Sequence, residues 1–197
     1  MTGSRIAAVV LAAGVSRRMG GNKLLAIVNG RPLVRWAAEA AVGSQAWSVI
    51  VVTGHQSDRI EGALSGLPVE VVFNSDYETG LASSLAAGLA RVPTDADGVV
   101  VLLGDMPQIS SVTVDQLIGA FKPGSIVVPT FNGERGNPVL WSRSFIPSLR
   151  NLSGDVGGRS LIEASAASVI LVPSDQAVRM DIDTPEALVR VGGTFVE

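Results

Sequence analysis

Short, continuously apolar runs alternate along the chain with longer stretches in which apolar residues recur every three or four positions. The runs are typical of strands buried on both faces of a sheet, and the longer stretches predict amphipathic helices. The predicted strands are Ile6–Leu11, Ser48–Thr53, Val69–Asn74, Gly98–Leu103, Ser125–Thr130, Pro138–Trp141 and Ala167–Pro173. The predicted helices are Pro32–Val42, Ser57–Leu64, Leu81–Ala90, Val112–Ala120, Ser144–Leu149, Arg159–Ser165 and Thr184–Val191. This alternation predicts βαβ units and a mostly parallel sheet.

The length and composition of the chain fit one folded domain. Its 197 residues are enough to bury a core, and 47% of them are hydrophobic while only 17% are charged, which excludes a disordered chain. No internal repeat, low-complexity segment or linker interrupts the pattern. We therefore expect residues 1–197 to form a single α/β domain of three layers, with helices on both faces of the sheet. Trp36, Trp47 and Trp141 are predicted to be core residues.

Charge and residue content exclude several classes of function. The net charge of -3 argues against nucleic acid as a partner, because phosphate backbones are bound by basic surfaces. The absence of cysteine excludes zinc–thiolate sites, iron–sulfur clusters and thiol nucleophiles, and the single histidine excludes a multi-histidine metal site. The apolar run Ile6–Ala13 is far shorter than the roughly 20 residues of a membrane span. We therefore expect no membrane partner and a cytoplasmic location.

Candidate chemistry is expected where strands end, because ligands of mostly parallel sheets bind at the carboxyl ends of the strands. The loop from Leu11 to Lys23 reads LAAGVSRRMGGNK and combines three glycines with three cations. Exposed N–H groups and cationic side chains in such a loop suit a polyphosphate. The dinucleotide pattern is broken at Ser16, and Lys23 lacks the neighbours that a P-loop requires. An ordinary glycine-rich turn with solvated arginines is the alternative.

The same loop carries a specific family resemblance. Its pattern L-x-A-G-x-S-x-R-M-G-x-x-K resembles, without gaps, the signature of the MobA-like nucleotidyltransferases. The resemblance implies a Rossmann-like sheet of the nucleotide-diphospho-sugar transferase type. It also implies that Arg18 and Lys23 are catalytic and stabilise the phosphoryl group that is transferred. The nucleotide-binding residues that it implies in this loop are Leu11, Ala12, Ala13, Gly14, Ser16, Arg18 and Lys23.

A single carboxylate follows the fourth predicted strand. Asp105 stands in the sequence GDMP, where its side chain suits a divalent cation and where a simple tight turn is the alternative. The segment resembles the family's G-D-x-P motif, whose aspartate binds the catalytic magnesium. The resemblance therefore implies that Asp105 is a catalytic residue that contacts both the metal and the nucleotide.

Two further aspartates stand near the end of the chain. Asp181 and Asp183 belong to DIDTPE at residues 181–186, and alternation along an extended segment places them on the same side. The Thr-Pro pair also suits the start of a helix, so a capping role is the alternative. The segment resembles the family's D-I-D-T-P-E-D, with Ala187 in place of the final Asp. The resemblance implies a second metal contact here, and which of the two aspartates makes it stays open.

The sequence around the third predicted helix resembles one branch of the family. Residues 80–89 read GLASSLAAGL, which is similar to the G-M-S-S-S-L-x-x-G-[LI] of the molybdenum cofactor cytidylyltransferases, with Leu and Ala replacing Met and Ser. The resemblance implies that Gly80, Ser83 and Ser84 contact the nucleobase and ribose. A capped helix with a face of small residues is the alternative.

Two segments resemble the acceptor-binding elements of the same branch. GNPVL at residues 136–140 resembles G-[HN]-P-V-L, which implies acceptor contacts by Asn137 and Pro138. Residues 151–159 resemble L-x-G-D-x-G-x-[RK], which implies acceptor contacts by Gly154, Asp155 and Arg159. A turn into a strand and a flexible loop between helices are the respective alternatives.

The resemblance as a whole implies transfer of CMP from CTP to the terminal phosphate of molybdopterin, with release of pyrophosphate. It implies Mg²⁺, or Mn²⁺, as the cofactor, the two substrates as small-molecule partners, and a molybdenum hydroxylase as the recipient of the product. CTP is favoured over GTP because the loop reads LAAG where the guanylyl branch reads LAGG, and a side chain at Ala13 would narrow the base pocket.

Three other functions stay open. They are guanylyl transfer to molybdopterin, nucleotidyl transfer to another phosphorylated acceptor, and a carrier that binds the finished cofactor without catalysis. The presence of Lys23 and Asp105 argues against a carrier, which would not need both. A dinucleotide-dependent dehydrogenase is disfavoured by Ser16.

Overall fold

Ten strands are present in the structure, a computed structural model that describes residues 3–16 and 19–195. Eight of them form one sheet, and the two shortest early strands form a separate hairpin. In chain order they are β1 (Ile6–Ala12), β2 (Ile27–Val28), β3 (Arg31–Pro32), β4 (Ser48–Thr53), β5 (Glu70–Phe73), β6 (Gly98–Leu103), β7 (Ile126–Phe131), β8 (Glu134–Arg135), β9 (Val139–Ser142) and β10 (Val169–Pro173).

The large sheet is mostly parallel, as predicted. Its strand order is β10-β7-β9-β6-β1-β4-β5, and β8 pairs with β7 outside this path. The parallel pairs are β1 with β4 and β6, β4 with β5, and β7 with β10. Only β8 and β9 run antiparallel to their neighbours in the sheet. Because β1 and β6 are parallel neighbours, the loops that follow them leave the sheet side by side.

Helices cover both faces of the sheet, which confirms the three-layer α/β prediction. Two separate clusters of buried residues lie on the two faces, one under α1, α2 and α4 and the other under α3, α5 and α6. The helices are α1 (Leu33–Val42), α2 (Ser57–Ala63), α3 (Leu81–Arg91), α4 (Ser111–Ala120), α5 (Ile146–Arg150), α6 (Arg159–Ala164) and α7 (Pro185–Arg190). None of the helices among the described residues has the length and apolar character needed to cross a membrane.

A small third cluster holds the end of the chain against the glycine-rich loop. Met19, Ile182 and Leu188 are buried there with Val28 of the hairpin. The helix α7 begins where the Thr184 side chain accepts a hydrogen bond of 3.2 Å from the backbone of the first turn, so Thr184 has the capping role that was the alternative for this segment. This packing brings the segment just before α7 close to the loop after β1.

The strands and helices predicted from the sequence are all present, with ends that differ by at most two residues. The hairpin β2–β3 and the strand β8 were not predicted. The prediction that all three tryptophans are core residues is wrong for Trp47, which is 48% exposed and lies against the guanidinium group of Arg5. The planar guanidinium group covers the indole that the core does not bury.

Candidate active site

Three segments far apart in the sequence meet at the amino group of Lys23. Its Nζ atom lies 2.6 Å from Oδ2 of Asp105 and 2.6 Å from Oδ1 of Asp183. Such short contacts are charge-assisted hydrogen bonds. The structure therefore joins the glycine-rich loop, the loop after β6 and the segment before α7 at one point.

Hydrogen bonds within the loop hold Lys23 in this position. Ser16 has a left-handed backbone conformation, and its hydroxyl oxygen accepts a hydrogen bond of 3.1 Å from the Lys23 N–H. Asn22 caps the short 3-10 helix that begins at Lys23, and its side-chain amide donates to the carbonyl of His55 at 3.3 Å. The loop is thereby attached to the neighbouring strand-end loop after β4, which orients the lysine toward the two carboxylates.

Asp105 and the second acidic segment are joined through the backbone. The N–H of Ile182 donates to the carbonyl of Asp105 at 3.0 Å, and the Ile182 side chain is buried. Because side chains alternate along an extended segment, Asp181 and Asp183 both lie on the other side. Asp183 contacts Lys23, whereas Asp181 lines a separate cleft of about 210 Å³ and acts on Asp105 through its charge. Asp183 is therefore the acid that lies at the lysine.

Burial and charge have opposite effects on the two central groups. Burial alone would lower the pKa of Lys23, but the charges and hydrogen bonds of Asp105 and Asp183 outweigh it and raise that pKa above the usual 10.5. For Asp105, burial is the largest effect and raises the pKa above the usual 3.8, although Lys23 lowers it. The charge of Asp181 raises the pKa of Asp105 further. The ionised form of Asp105 therefore depends on the cation beside it.

The carboxylates at this point fit a hard divalent cation. Asp105 binds Lys23 through Oδ2 alone, and its Oδ1 atom is buried without a hydrogen-bond partner. A buried oxygen without a partner is costly, and a cation on the carboxylate would remove that cost. Within residues 3–16 and 19–195, no three acidic or histidine side chains are grouped closely enough to hold a metal by themselves. Substrate phosphates would therefore have to complete the ligand set, as is common for Mg²⁺.

A cleft of about 630 Å³ opens beside Lys23. This volume is typical of a small-molecule site. It contains five residues that the resemblance implies for the nucleotide: Gly14, Ser16, Lys23, Gly80 and Ser84. Its other lining residues are Val15, Met19, Tyr77, Glu78, Leu81, Asp155 and Asp183. We refer to it as the nucleotide cleft.

Some residues predicted for the nucleotide lie outside this cleft. Leu11 lines a neighbouring cleft, while Ala12 and Ala13 are 1% and 2% exposed and belong to the core. Asp105 reaches the nucleotide cleft only through its contact with Lys23. Arg18 lies outside the described residues.

Of the two serines predicted at the start of α3, Ser83 and Ser84, only Ser84 lines the cleft. The hydroxyl of Ser83 lies 2.9 Å from the carbonyl oxygens of Asp76 and Gly80, to which it can donate, and it accepts a hydrogen bond of 2.9 Å from Asn74. Ser83 therefore stabilises the turn that leads into α3, as the capping alternative implied.

The loop at residues 151–158 is fixed on the start of α3. The Ala82 N–H donates to the Gly154 carbonyl at 3.1 Å, and the Leu81 N–H donates to the Asp155 carboxylate at 3.3 Å. Gly80 has a φ of 120°, and a β-carbon there would lie 2.4 Å from the backbone of Gly154, so only glycine fits. This contact places Asp155 in the wall of the nucleotide cleft, whereas the resemblance implies an acceptor contact for it.

A second cleft of about 750 Å³ lies next to the first, and the two share Leu81. Two of the predicted acceptor residues, Asn137 and Arg159, line it. Pro138 and Gly154 do not line either cleft. We refer to it as the second cleft.

The second cleft also contains residues that the sequence did not single out for chemistry. Trp141, a core residue with 3% exposure, forms part of its wall together with aliphatic side chains of the sheet. Arg135 and Arg179 also line this cleft, together with Glu134 and Glu163, and Arg179 forms an ion pair with Glu134. In sequence, Arg135 directly precedes the Gly-Asn-Pro turn, and Arg179 stands two residues before Asp181.

Tyr77 and Glu78 are nucleotide-cleft residues that the sequence did not single out, although they belong to the segment between β5, which ends at Phe73, and α3. Tyr77 packs tightly over Gly54, where a β-carbon would lie 2.6 Å from the Tyr77 β-carbon and 2.9 Å from the β-carbon of Ala13. Ala13 thus supports the segment on which the tyrosine lies and does not itself face the cleft.

A family model described as the MobA-like NTP transferase domain matches residues 8–169. The chain belongs to this family. The MobA-like match extends from β1 to the start of β10 and so includes Lys23, Asp105 and the residues that line both clefts up to Glu163. The protein is a nucleotidyltransferase of the MobA-like type.

Two curated proteins are similar to this MobA-like chain over nearly their whole length. The purine catabolism protein PucB of Bacillus subtilis is 35% identical over 188 residues, which are 90% of this chain and 91% of PucB. The nicotine blue oxidoreductase of Paenarthrobacter nicotinovorans is 31% identical over 196 residues, 94% of this chain and 96% of that protein.

Solved structures agree with the fold. Rv0371c of Mycobacterium tuberculosis superimposes with a TM-score of 0.88 at 31% identity, over 97% of this chain and 98% of its own. The same protein in complex with manganese superimposes with a TM-score of 0.83 at 28% identity, over 95% and 98% of the two chains. A structure described as a nucleotidyl transferase of Methanothermobacter, at 24% identity and a TM-score of 0.85 over 96% of both chains, shares the fold. The nucleotide-diphospho-sugar transferase type of sheet is thereby confirmed.

Proposed function

We propose that this protein transfers CMP from CTP to the terminal phosphate of molybdopterin and releases pyrophosphate. The observation that carries the proposal is the meeting of Lys23, Asp105 and Asp183 beside a cleft of nucleotide size. Phosphoryl transfer is catalysed mainly by positioning and charge stabilisation, which these groups suit. The resemblance of residues 80–89 and 151–159 to the cytidylyltransferase branch supports CTP and molybdopterin as the substrates.

The acceptor phosphate is already an anion, so the reaction needs no strong general base. One of its oxygens attacks the α-phosphorus of CTP in line, the bond from the α-phosphorus to the bridging oxygen breaks, and pyrophosphate leaves with that electron pair. Negative charge grows on the oxygens around the reacting phosphorus and on the leaving group. Lys23, held at the mouth of the nucleotide cleft, stabilises this charge, and Arg18 is proposed as a second cation.

Asp105 and Asp183 would hold Mg²⁺ or Mn²⁺ together with the nucleotide, and the ion would neutralise part of the phosphate charge. The buried Oδ1 of Asp105 and the contact of both acids with one cationic group support this assignment. Asp181 lines a different cleft, so we assign it an electrostatic influence on Asp105 and no ligand role. The manganese complex of a similar protein supports a divalent ion.

We assign the acceptor to the second cleft. Its wall of Trp141 and aliphatic side chains suits the flat ring system of a pterin, and Arg159 at its edge suits the phosphate. Asn137 lines the same cleft. Asp155 is assigned to the nucleotide side, since it lines the nucleotide cleft. A molybdenum hydroxylase as recipient of the product is proposed from the family resemblance alone.

The nucleotide preference can be measured as pyrophosphate release with Mg²⁺ and molybdenum-loaded molybdopterin. We expect the rate with CTP to exceed the rates with GTP, ATP and UTP by at least about tenfold, since a difference of one or two contacts in a binding site gives this order of discrimination. A preference for GTP would overturn the base assignment. If no nucleotide gave pyrophosphate release with intact molybdopterin, the assignment of molybdopterin as the acceptor would be overturned.

Ala13→Gly is the matched variant for this comparison. Because Ala13 supports Tyr77 through Gly54, the loss of its methyl group should loosen the tyrosine and raise the relative rate with GTP. Ala12→Gly, at a similarly buried neighbouring position, serves as the control for a general loss of packing. An equal change of base preference in both variants would remove Ala13 from base selection.

One relative supports a second candidate, an oxidation or reduction, because its name describes an oxidoreductase. Such an activity would need a bound redox cofactor, and the loop after β1 lacks the second glycine of the dinucleotide pattern at Ser16. A fluorescence titration with NAD and NADP separates the two candidates. Saturable binding tighter than that of CTP would favour the oxidoreductase.

A further inference from the structure

The ammonium group of Lys23 occupies the point where the two proposed metal-binding carboxylates meet. It binds one oxygen of Asp105 and one of Asp183, both at 2.6 Å. We propose that Lys23 acts as a resident cation in the nucleotide-free protein, so that a divalent ion binds tightly only together with the nucleotide that draws the lysine away. The inference rests on the proposed function in assigning these two acids to the metal and the neighbouring cleft to the nucleotide.

The geometry leaves little room for a metal while the lysine is in place. The side chains of Lys23 and Asp105 are only 14% and 15% exposed. The ammonium group binds the Oδ2 atom of Asp105, and the Oδ1 atom, which has no hydrogen-bond partner, is buried. A divalent ion that approaches from the cleft therefore reaches Oδ1 only after the ammonium group has left Oδ2.

Charge adds to this obstacle. Two carboxylates carry a charge of about -2, and the ammonium group reduces it to about -1, while repelling an incoming dication at close range. Displacing the ammonium group into water or an empty cleft would also break two charge-assisted hydrogen bonds. The bare metal alone therefore gains little by binding.

A bound nucleotide would remove both obstacles, the occupied carboxylate and the repulsion between the ammonium group and the ion. Lys23 lines the nucleotide cleft, so phosphates in that cleft offer its ammonium group new anionic partners. The phosphates also bring oxygen ligands for the ion, which takes over the carboxylates that the lysine leaves. Metal and nucleotide then raise each other's affinity, which is a coupling between two ligands that holds in both directions.

Binding of Mn²⁺, measured by the loss of its free-ion EPR signal, tests the inference without turnover. In the absence of nucleotide, Lys23→Met should bind Mn²⁺ at least about tenfold more tightly than the wild type, because the competing charge is gone. Lys122→Met changes the only other lysine of the chain, which is exposed, and should bind as the wild type does. With a nonhydrolysable CTP analogue present, the wild-type protein should bind Mn²⁺ more tightly than the analogue alone binds the ion. Wild-type protein that binds Mn²⁺ alone as tightly as Lys23→Met would overturn the inference.

A second measurement uses the wild-type protein alone and does not depend on the folding of any variant. Because Lys23 and Lys122 are the only lysines, lysine labelled with ¹⁵N at the side-chain nitrogen gives two ammonium signals by NMR. Millimolar Mg²⁺ alone should leave the Lys23 signal in place, and Mg²⁺ with the CTP analogue should shift it, while the Lys122 signal stays constant. A full shift with Mg²⁺ alone would overturn the inference. Failure of CMP transfer would overturn the proposed function and leave both readouts intact.

Discussion

Replacing Asp105 with Asn is expected to lower the rate of nucleotidyl transfer by about 10³-fold or more, the size of effect seen when a charge-stabilising group is removed from an active site. The amide keeps the shape of the side chain but gives a divalent ion no anionic ligand. Stability should change little, because burial already disfavours the ionised form of Asp105 and Lys23 keeps its contact with Asp183. Steady-state kinetics with CTP, together with a thermal melt, checks both parts.

Asp183→Asn and Asp181→Asn form a matched pair for this prediction. Both change one aspartate of the same extended segment, and only Asp183 contacts Lys23. We expect Asp183→Asn to lose much more activity than Asp181→Asn. Equal losses, or a loss confined to Asp181→Asn, would show that the second metal ligand is assigned to the wrong residue. An Asp105→Asn enzyme that keeps most of its rate would remove the metal role of Asp105.

Replacing Lys23 with Met is expected to reduce both catalysis and stability. The rate should fall by about 10³-fold, because the cation at the reacting phosphates is lost. The free energy of unfolding should fall by about 3 kcal/mol at pH 8 in the presence of EDTA, since a buried carboxylate is left without its partner. This loss of stability should become smaller as the pH falls, because Asp105 then takes up a proton and no longer needs a counter-charge.

A double variant separates the two effects of Lys23. Lys23→Met with Asp105→Asn removes both charges, so it should recover most of the stability that Lys23→Met loses while staying inactive. Lys122→Met controls for the loss of a lysine in general, since Lys122 is exposed. A double variant as unstable as Lys23→Met would show that the loss of stability comes from packing and not from the unpaired charge of Asp105. Denaturant unfolding of the four proteins gives the comparison.

Much of the fold could be predicted because it rests on local patterns. The buried strands are continuous apolar runs, and their alternation with helices defines the parallel sheet. The elements that were not predicted, β2, β3 and β8, are only two residues long, which is too short for a periodicity to be seen. A turn signal was present in both cases, since Asn29-Gly30 and Asn132-Gly133 have the positive φ angles of tight hairpin turns.

The candidate site could be predicted as a set of motifs but not as an arrangement. Lys23 and Asp105 follow adjacent parallel strands, so their proximity follows from topology. The choice of Asp183 over Asp181 depends on the contact between Asp183 and Lys23, which are 160 residues apart in sequence, and no local pattern reveals it. Asp155 lies in the nucleotide cleft because its loop binds the start of α3, 74 residues away in sequence. The support that Ala13 gives to Tyr77 likewise depends on a tertiary contact at Gly54.

The most direct test of CMP transfer follows the two parts of CTP separately. The protein is incubated with Mg²⁺, molybdopterin and CTP that carries radioactive phosphorus at either the α or the γ position. Transfer of CMP requires the α label to become attached to the pterin and the γ label to appear in pyrophosphate in equal amount. The γ label on the pterin, or hydrolysis of CTP with no label on the pterin, would contradict nucleotidyl transfer at the α-phosphorus.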